Sequence, residues 1–353
     1  MTPKKALIGM SGGVDSSVAA LLTKEQGYEC AGCTMQLHDF GCGGSSDVSD
    51  AQAVAARLGM AHHVLQQQGC FSQRVIGKFV SCYEEGLTPN PCIDCNRYLK
   101  FGTMLDAALE MGFDYVVSGH YARIRQDSAT GRYLLYKAKD TAKDQTYFLA
   151  GLNQHQLAHI LFPLGELTKV QVRQIAEEQG FVNARKRDSQ DICFIPGGDY
   201  GEFLRCYTGK NYPEGDYLDL NGNVVGRHKG AVRYTLGQRK GLGIALGEPV
   251  YVCKKDMAAN TVTVGPNSAL FSRALRADDW NWLPFPALTG PMRVTVKIRH
   301  SQSEQAATVY PEEQGFARVE FDSPQRAVTP GQAVVLYDGE LVVGGGTITQ
   351  AIP

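Results

Sequence analysis

Two stretches of this chain carry side chains of types and spacing that do chemistry. The first is Ser11-Gly12-Gly13-Val14-Asp15-Ser16-Ser17, which follows an apolar run, 6–10, and precedes a helical-looking run, 18–24. That order reads as strand, tight turn, helix N-terminus. The first turn of a helix leaves backbone N–H groups unpaired, and the helix dipole puts its positive end there. Two glycines let the backbone close on a ligand, and three serine hydroxyls add donors. The result is a socket for an anion, most naturally a phosphate chain. A serine-capped helix after a glycine turn is the blander reading. Placement after the first strand and an Asp inside the loop argue for phosphate, and no Gly-Lys-Ser/Thr follows.

The second stretch is Cys92-Ile-Asp-Cys95, within 88–102, and a further thiol, Cys193, lies in 188–196. Two prolines, Pro89 and Pro91, predict an extended lead-in. Cys95 then falls at or near the start of a helix over 97–111, where a thiol pKa is lowered. Zinc wants four ligands, and a second CxxC of suitable spacing is missing. Cys30 and Cys33 do not supply one. They lie in a predicted strand, point to opposite faces, and read as buried small hydrophobes. Cys70, Cys82, Cys206 and Cys253 read the same way, and Cys42, in a glycine-rich loop, stays open. A redox pair is the default for CxxC alone, but a thioredoxin-like context is absent.

The elements that position these groups follow from periodicity. Strands are expected at 6–10, 29–36, 61–65 and 115–119, with helices at 16–26, 47–58, 73–85 and 101–111 between them. That rhythm predicts an α/β fold with a doubly wound parallel sheet, and such sheets bind ligands at the carboxyl ends of their strands. Helices follow at 153–160 and 168–178, the second capped by Thr168 and stopped by Gly180. After about residue 205 glycine rises and short alternating strands take over. We expect a catalytic α/β domain over 1–205, a small mixed or β domain over 206–275 and a C-terminal β-barrel over 276–353.

The chain has 353 residues and a formal net charge of −1, so overall charge neither demands nor excludes nucleic acid. No membrane-spanning run or signal peptide is visible, which predicts a cytosolic, cytoplasmic protein. Ten cysteines in that setting argue for reactive or metal-binding thiols rather than a disulfide framework.

The opening loop resembles the SGGxDS loop of the ATP pyrophosphatases, which cleave ATP between the α and β phosphates. Thr88-Pro-Asn-Pro…Cys95-Asn, Lys100-Phe-Gly, Ser118-Gly-His-Tyr-Ala-Arg123, Lys143-Asp-Gln-Thr-Tyr-Phe-Leu149 and Ser189-Gln-Asp-Ile-Cys-Phe-Ile195 follow it in order. With these motifs the chain resembles the tRNA-specific 2-thiouridylases over essentially its whole length. The resemblance implies an adenine-nucleotide-hydrolase-like domain that adenylates the C2 oxygen of the wobble uridine in tRNAs for Lys, Glu and Gln, after which sulfur displaces AMP. It implies ATP held by Gly9, Met10, Ser11, Gly12, Gly13, Val14, Asp15, Ser16 and Ser17, with Mg2+ at Asp15, and Met35 and Gly119 beside the adenosine. It also implies a persulfide on Cys193 and a Cys95 that attacks it, leaving a Cys95–Cys193 disulfide, or a persulfide that attacks C2 directly. Asn90 and Pro91 match residues beside the target base. Lys143, Asp144, Gln145, Arg299 and His300 match tRNA contacts. The implied partners are the tRNA anticodon stem-loop and a sulfur donor such as a cysteine desulfurase or a relay protein.

The chain departs from the family pattern at Cys92, where many members carry Asp after Asn-Pro. The acid–base role of that Asp is therefore in doubt here, and a third thiol joins Cys95 and Cys193. Three cysteine ligands with one open iron suit a 4Fe–4S cluster that holds sulfide, an alternative to the persulfide relay. Rival functions are another adenylating synthetase of the same loop class, a non-catalytic RNA-binding module and a thiol oxidoreductase.

Overall fold

The computed structural model describes residues 3–37, 45–186, 192–195 and 197–353. Cys42 and the 189–191 part of the Cys193 motif lie outside the described residues. The first sheet is parallel. Its strands β1 (Lys5–Gly9), β2 (Glu29–Gln36), β3 (Ala61–Gln66) and β4 (Tyr115–Val117) stand in the order β3-β2-β1-β4, with the short strand Ile160–Leu161 beyond β4. Ala6, Leu7 and Ile8 of β1 are wholly buried, as a strand covered on both faces requires. Ala6 and Ile8 join one core and Leu7 the other, the period of two expected of a strand. Helices α1 (Val14–Glu25) and α2 (Ser45–Arg57) and helix Lys169–Glu178 cover the first face, and helix Met104–Glu110 covers the second. Cys30 packs into the first core and Cys33 into the second, on opposite faces as predicted.

The order reverses between β1 and β4, since α1 leads from β1 outward to β2 while β4 extends the other side. Ligands bind doubly wound sheets at this switch point. The Ser11–Ser17 loop leaves the carboxyl end of β1, and Ser118-Gly119-His120 leaves that of β4.

Residues 215–265 form a four-stranded sheet with its own core around Tyr217, Val252 and Val262. The C-terminal unit is a closed six-stranded barrel. Its first strand, Phe271–Trp282, pairs with both Ala317–Arg326 and the last strand, Leu341–Ile352. Asp338 and Leu341 pair across a two-residue hairpin turn, as Asp338-Gly339 predicted. Sequence periodicity missed the hairpin Arg123–Gln126/Tyr133–Tyr136, which joins the barrel sheet through Tyr136 and Leu341.

The barrel docks on the Thr88-Pro-Asn-Pro segment. Thr88 N–H donates to Pro330 O at 3.0 Å, and Gln332 Nε2 to Pro89 O at 3.5 Å. Gly331 lies at φ +90°, and a Cβ there would fall 2.8 Å from Thr88 N. Gly331→Ala is expected to cost about 1–3 kcal/mol at this contact. The expected readout is faster amide exchange at Leu87, Thr88 and Asn90; exchange unchanged from the parent chain would refute the docking role.

Candidate active site

The socket is built by backbone. Gly12 sits at φ +69°, and a Cβ there would meet the Asp47 carbonyl oxygen at 2.5 Å, so only glycine fits. Gly13 caps α1 without a side chain. Ser17 N–H is the first to reach back, to Gly13 O at 3.3 Å, so the amides ahead of it have no intrahelical acceptor. Ser16 Oγ and Ser17 Oγ each donate to Gly13 O at 3.0 Å, and Ser11 N–H donates to Ser16 Oγ at 3.3 Å. The opposite wall is Gly119. A Cβ on it would lie 2.6 Å from Asp15 C and 2.7 Å from Ser16 N, so the end of β4 rests directly against the first turn of α1. Gly9 faces Met104. Met10 is buried, its N–H on Cys33 O at 2.7 Å and its carbonyl taking Thr34 Oγ1 at 2.7 Å. Val14 is buried in the first core.

The charges around the loop come from residues that sequence reasoning did not single out. Lys169 Nζ spans both Asp15 oxygens at 2.7 and 2.8 Å, and Tyr121 OH donates to the same carboxylate at 2.8 Å. Asn183 Nδ2 donates to Gly12 O and Ser17 Oγ, both at 3.0 Å. Lys186 Nζ reaches Gly12 O at 3.3 Å and pairs with Asp47 and Asp50 at 2.7 Å each. The sequence signals among them are Tyr121, inside the Ser118–Arg123 motif, and Lys169, the first residue of a helix with a complete Thr168–Gln171 capping box.

The thiol segment departs from expectation. Asn90 is extended and accepts the Cys92 N–H on its side chain at 3.2 Å, and Pro91 stands at N1. The chain is then helical over 91–110: α at Pro91–Asp94, π at Cys95–Thr103, and α again at Met104–Glu110. The helix starts six residues before the expected 97, because the N-terminal Pro and the Asn cap initiate it. Cys92 is exposed in the first turn, whereas Cys95 is 7% exposed. Burial pushes the Cys95 thiol above its ordinary value, with Lys100 opposing. This corrects the expected helix-lowered pKa: the helix begins at Pro91, so Cys95 lies past its first turn, and desolvation is the largest effect on it. Asp94 pairs with Lys78 at 2.7 Å.

Cys193 lies far from Cys95 in sequence but packs against the same core, with Phe71, Phe79, Leu99 and Phe194. Phe194 stands edge-on to Phe71 and Phe79 at 5.6 and 5.3 Å. Met35, at the end of β2, touches both this cluster and the core of the sheet. Cys95 and Cys193 are free thiols in this state. Cys206, read as buried, is exposed on helix Tyr200–Thr208. Among the described residues no three His, Cys, Asp or Glu side chains converge to hold a metal ion. Cys92, Cys95 and Cys193 therefore do not form the three-thiol site that a 4Fe–4S cluster needs.

The segments expected to meet RNA come together from both ends of the chain. The His300 ring lies 4.5 Å from that of Phe148, and its Nε2 donates to Asp144 O at 3.4 Å. Asn96, beside Cys95, donates to Phe148 O at 3.1 Å. The Asp144 carboxylate takes Ala138 N–H at 2.9 Å and Thr146 Oγ1 at 2.6 Å. Gln145 exchanges two 3.0 Å bonds with the Tyr121 backbone. Arg299 donates to Arg326 O, and Lys143 is half-buried. Asp144, Gln145 and Arg299 thus shape the surface from within.

Comparison with known proteins places this geometry. Residues 4–197 match the tRNA methyl transferase HUP domain, 201–266 the tRNA methyl transferase PRC-barrel domain, and 272–348 the aminomethyltransferase beta-barrel domain. The chain is 51% identical to a tRNA-specific 2-thiouridylase of Acetivibrio thermocellus, covering 99% of this chain and 100% of that one. It is 47% identical to the one from Halothermothrix orenii, covering 98% and 99%, and 45% identical to the one from Clostridioides difficile, covering 99% of each. The chain belongs to the tRNA-specific 2-thiouridylase family. Members of this family are tRNA-uridine 2-sulfurtransferases. Among the described residues no helix is long and apolar enough to cross a membrane.

The contrast between the two CxxC thiols of this thiouridylase is directly measurable. Exposed Cys92 is expected to react with iodoacetamide at least about tenfold faster than buried Cys95 in the native protein near pH 7.5. Peptide-resolved mass spectrometry reads both rates, and a Cys95 that labels as fast as Cys92 would contradict its burial.

Proposed function

We propose that this chain binds ATP in the Gly9–Ser17 socket and transfers AMP to the C2 oxygen of the wobble uridine in tRNAs for Lys, Glu and Gln. Sulfur carried by Cys193 then replaces that oxygen. The observation that carries the reading is the packing of Cys193 into the Cys95 cluster, next to Met35 and a socket walled by Gly119. A phosphate chain fits unpaired helix-start amides closed on by glycine backbone. A uridine carbonyl is a poor electrophile, and adenylation supplies the leaving group that oxide cannot be. Asp15 would hold the magnesium that accompanies the triphosphate once Lys169, now on both its oxygens, turns to a phosphate.

The sulfur step balances as follows. The terminal persulfide sulfur on Cys193 attacks C2, and the C2–O electron pair leaves with AMP. The Cys95 thiolate attacks the Cys193 sulfur, the S–S pair goes to the sulfur on C2, and 2-thiouridine departs from a Cys95–Cys193 disulfide. A dithiol reductant resets the pair, and a cysteine desulfurase or relay protein reloads Cys193. We carry no step through an iron–sulfur cluster, because the three thiols do not converge. Asn90, Pro91 and Cys92, at the solvent end of the thiol helix, would face the target base. The anticodon loop presents that base unpaired, so extruding it costs little. Lys143–Gln145 and Arg299–His300 would line the tRNA path. A reducing cytoplasm, which keeps such cysteines as thiols, is the setting this chemistry suits.

The test supplies tRNA, ATP, dithiothreitol, cysteine and a cysteine desulfurase, and reads 2-thiouridine by nucleoside mass analysis with pyrophosphate release in parallel. Cys95→Ala and Cys193→Ala are expected to lower thiolation on the order of 100-fold or more while pyrophosphate release persists. Gly119→Ala is expected to lower both, since its Cβ displaces the start of α1. Pyrophosphate release by the parent chain with no 2-thiouridine formed would point instead to another adenylating synthetase of the same loop class.

A further inference from the structure

The π-helical stretch Cys95–Thr103 interrupts a helix that is otherwise α on both sides. Such stretches are rare and recur at functional sites, so its effect on side-chain register matters. In an α-helix a residue five positions on lies about 140° round the axis from its start. In π winding the hydrogen bond runs from i to i+5, so the fifth residue comes round to within about 50° of the first. Lys100 is five residues after Cys95. The π stretch therefore turns Lys100 from the flank of the helix onto the face that carries Cys95.

Three further observations concern that lysine. Its charge is felt at Cys92, and at Cys95, where it opposes the effect of burial. It is also felt at His120, helping to keep that buried ring neutral. The His120 ring lies 5.7 Å from the ring of Phe101, the neighbour of Lys100, and its Nδ1 is bonded to Ser118 Oγ at 2.6 Å. His120 directly follows Gly119, the wall of the phosphate socket. The charge of Lys100 thus acts both on the thiols and on the ring beside the nucleotide end of the site. Finally, it is half-buried, and among the described residues no carboxylate forms an ion pair with it. An ammonium without a carboxylate partner is open to an anion that arrives beside it.

We propose that Lys100 is a further residue of the sulfur-transfer step, its ammonium neutralising the anion that forms between the Cys95 face and the phosphate socket. This rests on the function proposed above. When sulfur attacks C2, negative charge moves from the sulfur, through the tetrahedral carbon, onto the departing AMP oxygen. A fixed cation beside that path stabilises the transition state more than the ground state, in which the charge still sits on the persulfide. Asp at the position of Cys92 would place a permanent anion one turn from Cys95. With Cys92 there instead, Lys100 has no such competitor and remains available.

The experiment compares the parent chain with Lys100→Met and Lys100→Arg, each as the full chain with tRNA, ATP and a persulfide-generating desulfurase. Pyrophosphate release reads adenylation, and single-turnover 2-thiouridine formation reads sulfur transfer. For Lys100→Met, thiolation is expected to fall on the order of 100-fold and much further than pyrophosphate release, so adenylated tRNA accumulates. Lys100→Arg, which keeps the charge, is expected to recover most of the rate. Thiolation by Lys100→Met within a few-fold of the parent overturns the proposal. So does an equal loss of both readouts that Arg does not rescue, which would mark a structural lysine. Cys95→Ala and Cys193→Ala run alongside: thiolation at the parent rate by either would overturn the thiol chemistry itself, a result separate from the fate of Lys100.

Discussion

The contact of Gly119 with the first turn of α1 is the constraint on which the rest of the site depends. Two backbone segments approach closely enough that no side chain fits between them. This brings the carboxyl ends of β1 and β4 into one socket and sets where the chain after β4 can go. Two residues on, Tyr121 reaches back to Asp15 and exchanges backbone and side-chain bonds with Gln145. Asp144 then meets His300 of the barrel, and Phe148 meets both His300 and Asn96 beside Cys95. A continuous path of direct contacts runs from the phosphate socket through the 144–148 segment to the barrel and back to the thiol helix. The barrel is part of the site's frame, because it also holds the Thr88–Pro91 lead-in through Pro330 and Gln332.

Much of the frame was legible in the sequence because its signals are local. The glycine loop after an apolar run, the Thr168 cap, the turn at Asp338-Gly339 and the opposite faces of Cys30 and Cys33 each follow from a few consecutive residues. What was not legible depends on distant partners. The hairpin at 123–136 is stabilised by a strand near residue 341, too remote for periodicity to reveal. Asn183 and Lys186 act on Gly12 from a non-periodic turn that has no signature of its own. Cys95 shows the same limit more sharply. Its local position argued for a lowered pKa, but the buried cluster it shares with Phe71 and Phe79, from one helical run, and with the distant Phe194 withdraws it from water and reverses the sign.

That reversal has a chemical logic. On the function proposed above, Cys95 must react on demand and be unreactive otherwise, because thiolates exposed to solvent are the ones that oxidise. Burial keeps Cys95 protonated and quiet. The same low-polarity surroundings strengthen any charge interaction made inside them, since Coulomb energy rises as the effective dielectric constant falls. Lys100, turned toward Cys95 by the π stretch and without a carboxylate partner, makes that interaction available. Desolvation and the lysine act on the thiol in opposite senses. Burial prevails in the resting protein. An electrophile held by the neighbouring socket shifts the balance, because the anion then forms where both the cation and the acceptor lie. The helix that carries the two cysteines is therefore best understood with its third member included: an exposed thiol, a buried thiol, and the ammonium that π winding brings round toward it.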